Sequence, residues 1–289
     1  MKGQAITFRR IKDIFVKGLI ILMAACSVVP LVAILYYVFK QGIEAINWDF
    51  FTQLPKPVGE VGGGIANAIL GSFLIILVAS IMSIPFGISI GVYLSEHGET
   101  KLSYYTRLVV DALQGIPSIV IGIVIYIWVV KPMGHFSAFS GSIALGIMMI
   151  PIIARSTEET LKLIPFSLKE ASLALGVPYY KTMLKVIIPS GLSGILSGII
   201  LSIARITGET APLLFTAFGN PFFNFDIQHP VHTMLTPMSS MPLIIFNYAT
   251  SPYDDWHRLA WGSAFVLLVF VLLLNIITKI ASRKWKVQF

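Results

Sequence analysis

Arg205 and Glu209 lie four residues apart in the stretch 192–218, which is otherwise uncharged and largely apolar. A guanidinium is planar, permanently charged and able to donate two parallel hydrogen bonds, which suits Arg205 to a tetrahedral oxyanion. The i,i+4 spacing puts both groups on one helical face. Glu209 can then hold Arg205 while the site is empty, or accept a proton-bearing oxygen of the anion when it is filled. On a helical wheel, Gly198, Ser202, Arg205, Gly208, Glu209 and Pro212 form one stripe, with Leu196, Ile203 and Leu214 opposite. Pro212 has no amide proton and would leave the Gly208 carbonyl without its helical partner. Such backbone is tolerated at membrane depth where it lines a cavity or is buried in protein. The alternative is a structural ion pair that fixes helix packing or assembly with a partner subunit.

Other candidate chemistry is weaker. Gly87-Ile88-Ser89-Ile90-Gly91 spells G-x-S-x-G and Gly191-Leu192-Ser193-Gly194 resembles the G-x-S-G of intramembrane proteases, but a nucleophilic serine needs a base in hydrogen-bond reach. The five histidines, His97, His135, His229, His232 and His257, fall in loops or at their edges. Gly87/Gly91 and Gly194/Gly198 have the spacing of close helix packing. The one cysteine, Cys26, has no partner for a disulfide or metal motif, and no Gly-Lys pair exists to form a Walker A loop. No catalytic residue, metal site or cofactor is expected.

The elements that position Arg205 and Glu209 follow from composition. The chain of 289 residues is 56% hydrophobic and 12% charged, with a mean hydropathy of +0.82. Soluble domains carry about 25% charged residues, so an all-α polytopic membrane protein is expected. Crossing about 30 Å of hydrocarbon takes about 20 helical residues, and runs of that kind fall at 18–39, 65–94, 108–130, 136–154, 192–218 and 259–280. Sixteen Lys and Arg residues lie before, between or after these spans on one side, against Lys40, Lys56, Lys131 and Arg258 on the other. The positive-inside rule then puts both termini in the cytoplasm of a plasma-membrane protein. The net charge of +7 reports this topology and not nucleic-acid binding. The first apolar run continues past Cys26 to Phe39, too long for a cleaved signal peptide.

Gly62-Gly63-Gly64 reads as a flexible entry to the second span, and Met241–Ala249, in the outside segment 219–258, as an interfacial or re-entrant helix. Asp111 and Gln114 read as residues at the start of the third span, and Arg155 with Glu158 and Glu159 as snorkelling or vestibule charges ending the fourth. Between spans four and five, Ser167 and Glu170 have capping-box spacing, predicting a helix from Leu168. Gly176 ends it in a left-handed conformation and Pro178 suits the first turn of the next. The product is a cytoplasmic helical hairpin over 167–189, which is either a docking element or a packed surface feature.

Within that hairpin, Glu170-Ala171-Ser172, three residues, Gly176, nine residues, then Val186-Ile187-Ile188-Pro189 resembles the Glu-Ala-Ala…Gly…Ile-x-Leu-Pro signature of the permease subunits of binding-protein-dependent ABC importers. Ser172, Val186 and Ile188 depart from it conservatively. The resemblance implies a MetI-like, type I permease core over 65–280, after an N-terminal part (1–64) and before a C-terminal tail (281–289). Its coupling loop, with Glu170, Ala171, Ser172, Gly176 and Pro189, would seat in an ATPase subunit, so ATP hydrolysis belongs to a separate chain.

The run Ala204-Arg205-Ile206-Thr207-Gly208-Glu209-Thr210-Ala211-Pro212-Leu213-Leu214-Phe215 is similar to the fifth span of phosphate ABC transporter permeases of the PstA kind. Gly64–Ile69, Gly115–Val120 and Asn247–Pro252 agree with it. This resemblance implies half of a phosphate pathway lined by Ser202, Arg205, Thr207, Gly208, Glu209 and Thr210. It also implies a heterodimer with a sister permease, two copies of a cytoplasmic ATPase and an extracytoplasmic phosphate-binding protein. An ABC permease for sulfate or molybdate, or a secondary anion transporter, is the alternative.

Overall fold

The computed structural model describes residues 2–60, 62–98, 100–222 and 229–284 and is built of helices. In chain order these are α1 (Lys2–Ile43), α2 (Trp48–Thr52), α3 (Ala66–Glu96), α4 (Lys101–Gly115) and α5 (Ser118–Ile125). The last runs on through a π-helical turn, Tyr126–Val130, to Met133. Then come α6 (Ala138–Lys162), α7 (Phe166–Ala174), α8 (Tyr179–Thr182), α9 (Leu192–Thr207), α10 (Ala211–Leu214), α11 (Pro230–Met234), α12 (Met241–Ala249) and α13 (Asp254–Lys284). The rest of the tail expected at 281–289, including Lys286, lies outside the described residues.

Among the described residues, four helices are long and apolar enough to cross a bilayer: Lys12–Ile43, Ala66–Glu96, Ala138–Lys162 and Asp254–Ile280. Two bent pairs bring the number to six if each is one span: Lys101–Gly115 with Ser118–Met133, at 102°, and Tyr179–Ser190 with Leu192–Thr207, at 68°. The first bend falls inside the span expected at 108–130, and the second, at Gly191, falls just before the span expected at 192–218. The first break falls at Ile116-Pro117. A proline pushes its predecessor out of the helical region, and Ile116 is extended (φ −72°, ψ 129°). Asp111 and Gln114 consequently sit late in the amphipathic α4, not at the start of a span. Gln114 Nε2 donates to the Pro151 carbonyl of α6 at 3.2 Å, tying the two helices together.

The core is the crossing of α3 and α6, filled by Ile75, Ala79, Leu145, Met149 and Ile153, all buried. Glycine lets these backbones approach: a Cβ on Gly87 would stand 2.7 Å from the Ile153 Cβ, and one on Gly91 2.6 Å from the Ala154 carbonyl. Gly194 and Gly198 of α9 pack in the same way against Thr160 and Ser156 of α6. The paired glycines are packing devices. Ser89 donates to the Pro85 carbonyl of its own helix, as a mid-helix serine commonly does. The first span stands apart: α1 leans on α13 only near its end, through Tyr37 on Trp261 and Phe39 on Phe265.

The glycine triplet differs from its expected role as a flexible entry. Gly62 and Gly63 take positive φ, and a Cβ on Gly64 would meet the Phe50 and Gln53 carbonyls at 2.6 Å. Absent side chains here allow the loop after α2 to close tightly on the start of α3, where Ile65 N donates to the Phe50 carbonyl at 2.9 Å. The Met241–Ala249 helix is present and packs inward through Met241, Leu243, Ile244 and Tyr248.

Candidate functional site

A further break, after Thr207 and separate from the 68° bend at Gly191, decides the geometry around Arg205. Helix α9 ends at Thr207, Gly208 to Thr210 cross a gap, and α10 resumes for one turn with Pro212 near its start. Pro212 is thus not embedded in a continuous helix; its missing amide costs nothing where the first helical amides have no intrahelical partner anyway. Arg205 lies in the last turn of α9 and not at mid-helix, where the carbonyl ends favour a cation. Glu209 N turns back to the Ile206 carbonyl at 3.1 Å. The side chains pair loosely, Arg205 Nε standing 3.9 Å from Glu209 Oε1, with 53% of the arginine and 20% of the glutamate side chain exposed.

The residues of the expected stripe and pathway lining divide into two groups. Ser202 and Thr207 are buried and spend their hydroxyls on their own helix, Ser202 on the Ile199 carbonyl at 2.7 Å and Thr207 on that of Ile203 at 2.6 Å. Gly198 packs on Ser156. Arg205 and Gly208 face outward, and Glu209 and Thr210 are partly exposed. Gly208 and Thr210 line a groove of about 370 Å³ with Pro242, Ile245, Phe246 and Thr250 of the α12 region.

The break is held from outside α9. A Cβ on Gly122 of α5 would lie 2.7 Å from the Pro212 Cα, so one broken span crosses the other at that residue pair. Asn67, at the start of α3, donates through Nδ2 to the carbonyls of Asn220 (3.0 Å) and Pro221 (3.4 Å) beyond α10. A larger cavity of about 550 Å³, with Asn67, Phe218, Asn247, Tyr248 and Trp256 in its wall, opens at this end of the bundle, opposite the hairpin.

At the hairpin end, α7 begins at Phe166 with Pro165 as its cap residue, two residues earlier than expected. Ser167 makes no capping bond, because the restricted φ of Pro165 already starts the helix. Gly176 takes φ +74° and ends α7 as expected, and Pro178 precedes α8 as its cap residue. Ser172 and Thr182 are buried and hydrogen-bonded to each other at 2.9 Å, closing the hairpin. Glu170 and Ala171 face solvent, and Leu175 is 83% exposed beside the exposed Leu173, Tyr180 and Leu184. The apolar tip of the hairpin is uncovered.

Two ionic clusters lie near this end. The Arg155, Glu158 and Glu159 group, read from the sequence as snorkelling or vestibule charges, forms a brace with Arg107 and Lys162 around the buried Glu158. A second group, around Glu96, has no sequence signal. Glu158, 1% exposed, accepts from Arg107 of α4 at 2.7 and 3.1 Å and from Lys162 at 2.6 Å, and pairs with Arg155 at 3.5 Å. Arg155 also reaches Glu159 at 3.3 Å. Glu96, the last residue of α3, accepts from both Lys169 and Tyr179 of the hairpin. Burial works against the Lys169 charge, but the Glu96 carboxylate outweighs it and holds the ammonium above its ordinary range. Only the i,i+3 and i,i+4 members of these clusters have a local sequence signal.

The chain matches the family described as binding-protein-dependent transport system inner membrane component over residues 83–287. It is 42% identical over 257 residues to the phosphate transport system permease protein PstA of Yersinia pestis, covering 89% of this chain and 85% of that protein. To PstA of Xylella fastidiosa (strain 9a5c) it is 44% identical over 239 residues, covering 82% and 80%. Its fold is similar to that of a chain of the inward-facing MetNI methionine ABC transporter, with a TM-score of 0.63 at 19% identity, covering 76% of this chain and 95% of that one. This chain belongs to the family of binding-protein-dependent transport system inner membrane components. It is a multi-pass membrane protein with the all-α, MetI-like permease fold.

Proposed function

We propose that this chain is the permease subunit of an ATP-driven phosphate importer and forms half of the translocation pathway. The reading is carried by one observation: Arg205 and Glu209 stand loosely paired and outward-facing at a break in a membrane-spanning helix. The high identity to PstA proteins supports phosphate as the substrate. Discontinuous helices are where transporters place substrate sites.

In the proposed site Arg205 donates to the anion, Glu209 either restrains Arg205 or accepts from a protonated phosphate oxygen, and Gly208 and Thr210 shape the adjoining groove. Ser202 and Thr207 support the helix end and do not reach the anion. Family membership brings, in general, an ATPase, a substrate-binding protein and a second permease. In particular, we propose a sister permease covering the Arg205 face, two ATPase copies engaging Glu170 and the apolar tip at Leu175, and an extracytoplasmic phosphate-binding protein at the opposite end. Both termini lie in the cytoplasm by the distribution of Lys and Arg. ATP hydrolysis belongs to the ATPase chains.

The test is uptake of radiolabelled phosphate by proteoliposomes containing all four component types, with sulfate as competitor. Uptake that needs ATP and resists sulfate is expected. Uptake of sulfate at an equal rate, or phosphate uptake without the ATPase, overturns the reading.

A further inference from the structure

We infer that Glu96 is the positioning residue through which movement of the hairpin reaches α3, and through α3 the broken fifth span; this rests on the transport reading above. The hairpin is built to move as a unit. Ser172 and Thr182 bond across it in a buried position, and Gly176 closes its turn. Its covalent links run to α6 through residues 163–165 and to α9 through the π-helical turn Met183–Ile187. No short link joins it to α3, which is separated from it in sequence by α4, α5 and α6.

That gap is bridged by one carboxylate oxygen. Among the described residues, the side-chain hydrogen bonds that leave Phe166–Thr182 all go to Glu96 Oε2, one from Lys169 of α7 and one from Tyr179 of α8. Each helix of the hairpin therefore contributes one donor to the same acceptor. The Lys169 ammonium is also seated against aromatic rings, 4.9 Å from the Tyr179 centroid and 5.7 Å from that of Phe166. Lys169 and Glu96 side chains are only 18% and 12% exposed, so solvent screens the contact weakly. Charge-assisted bonds of this kind are the strong ones.

From Glu96, α3 is a single helix to its far end. There it grips the elements around the break: Asn67 holds the Asn220 and Pro221 carbonyls, and the Ser72 hydroxyl accepts from Met241 N of α12 at 2.8 Å. A displacement applied at Glu96 is thus delivered, through a continuous set of packed and bonded contacts, to the loop after α10 and to the helix lining the Gly208 groove. Glu158 differs: its cations come from α4 and from α6 itself, so that cluster braces the bundle and leaves the hairpin free.

The experiment measures phosphate transported per ATP hydrolysed in proteoliposomes of the complete complex. Glu96→Gln should leave the ATPase subunits bound and hydrolysing while the transported-to-hydrolysed ratio falls at least about fivefold, the lower range of coupling between sites. Tyr179→Phe should lower it less, and the exchange Glu96→Lys with Lys169→Glu should recover most of the loss in Glu96→Gln. An unchanged ratio in Glu96→Gln overturns the inference, as does parallel loss of assembly and hydrolysis in both Glu96→Gln and Tyr179→Phe. Absence of phosphate uptake by the unaltered complex sinks the transport reading instead, and is seen before any variant is compared.

Discussion

Two carboxylates, Glu158 and Glu209, each stand within reach of an arginine and are treated differently by the fold. Glu158 is buried and gathers Arg107, Lys162 and Arg155 around it. Glu209 keeps a single arginine at 3.9 Å, at the edge of hydrogen-bond and ion-pair contact, on the open side of a helix break. A buried carboxylate must be fully paired or it is lost to desolvation, which makes the first cluster a structural brace between α4 and α6. An exposed pair at such a distance contributes little to stability. Keeping two charges at a helix break in a largely apolar stretch, where ionisable residues are costly, calls for a use outside the chain's own packing.

The contrast can be broken most sharply at Arg205. Arg205→Ala should reduce phosphate uptake roughly a hundredfold, the scale of a lost charge-assisted contact of about 3 kcal/mol, while assembly and ATP hydrolysis continue. Arg205→Lys should recover only part of it, because an ammonium lacks the planar fork. Normal uptake by Arg205→Ala would make Glu209 and Glu158 alike, and the proposed site would be lost.

The next effect in size is at the hairpin, which carries the exposed counterpart of the Glu158 brace. Glu170→Lys should release the ATPase subunits in a co-purification assay, with uptake falling in proportion, and retention of a fully coupled complex counts against docking there. Glu158→Ala should lower the thermal stability of the purified complex by about 1–3 kcal/mol, less than a deeply buried pair, because Arg107 and Lys162 can turn to solvent. Phosphate taken up per surviving complex should stay close to normal; a selective loss of uptake would erase the distinction drawn above. Arg155→Ala, at the rim of the same cluster, should shift stability by less than about 1 kcal/mol in the same measurement.

Much of this molecule is legible along the chain. Hydropathy locates the bilayer-crossing runs, Gly176 marks its turn, the paired glycines mark the α3–α6 and α9–α6 contacts, and Met241–Ala249 forms the short helix its length suggests. Where sequence reading departs from the structure, a local rule was extended through a break. A single wheel over 192–218 carried the stripe of Ser202 and Arg205 on to Glu209 and Pro212, but the helix ends at Thr207 and the phase of a wheel has no meaning past that point. Capping-box spacing pointed to Ser167, and Pro165 starts the helix first. Three glycines suggested looseness, and the fold uses them for close approach.

By itself the sequence determines that the chain is a membrane protein, where its spans fall and which loop is the hairpin, because backbone satisfaction in lipid and turn chemistry depend on neighbouring residues. Only the tertiary structure decides which charges brace and which are available. Arg107 meets Glu158 across 51 residues, and Lys169 and Tyr179 meet Glu96 across 73 and 83. No period or propensity encodes such separations. They arise when packed helices carry their ends to the same place, and burial then sets whether a charge must be paired within the chain or can be left for a ligand.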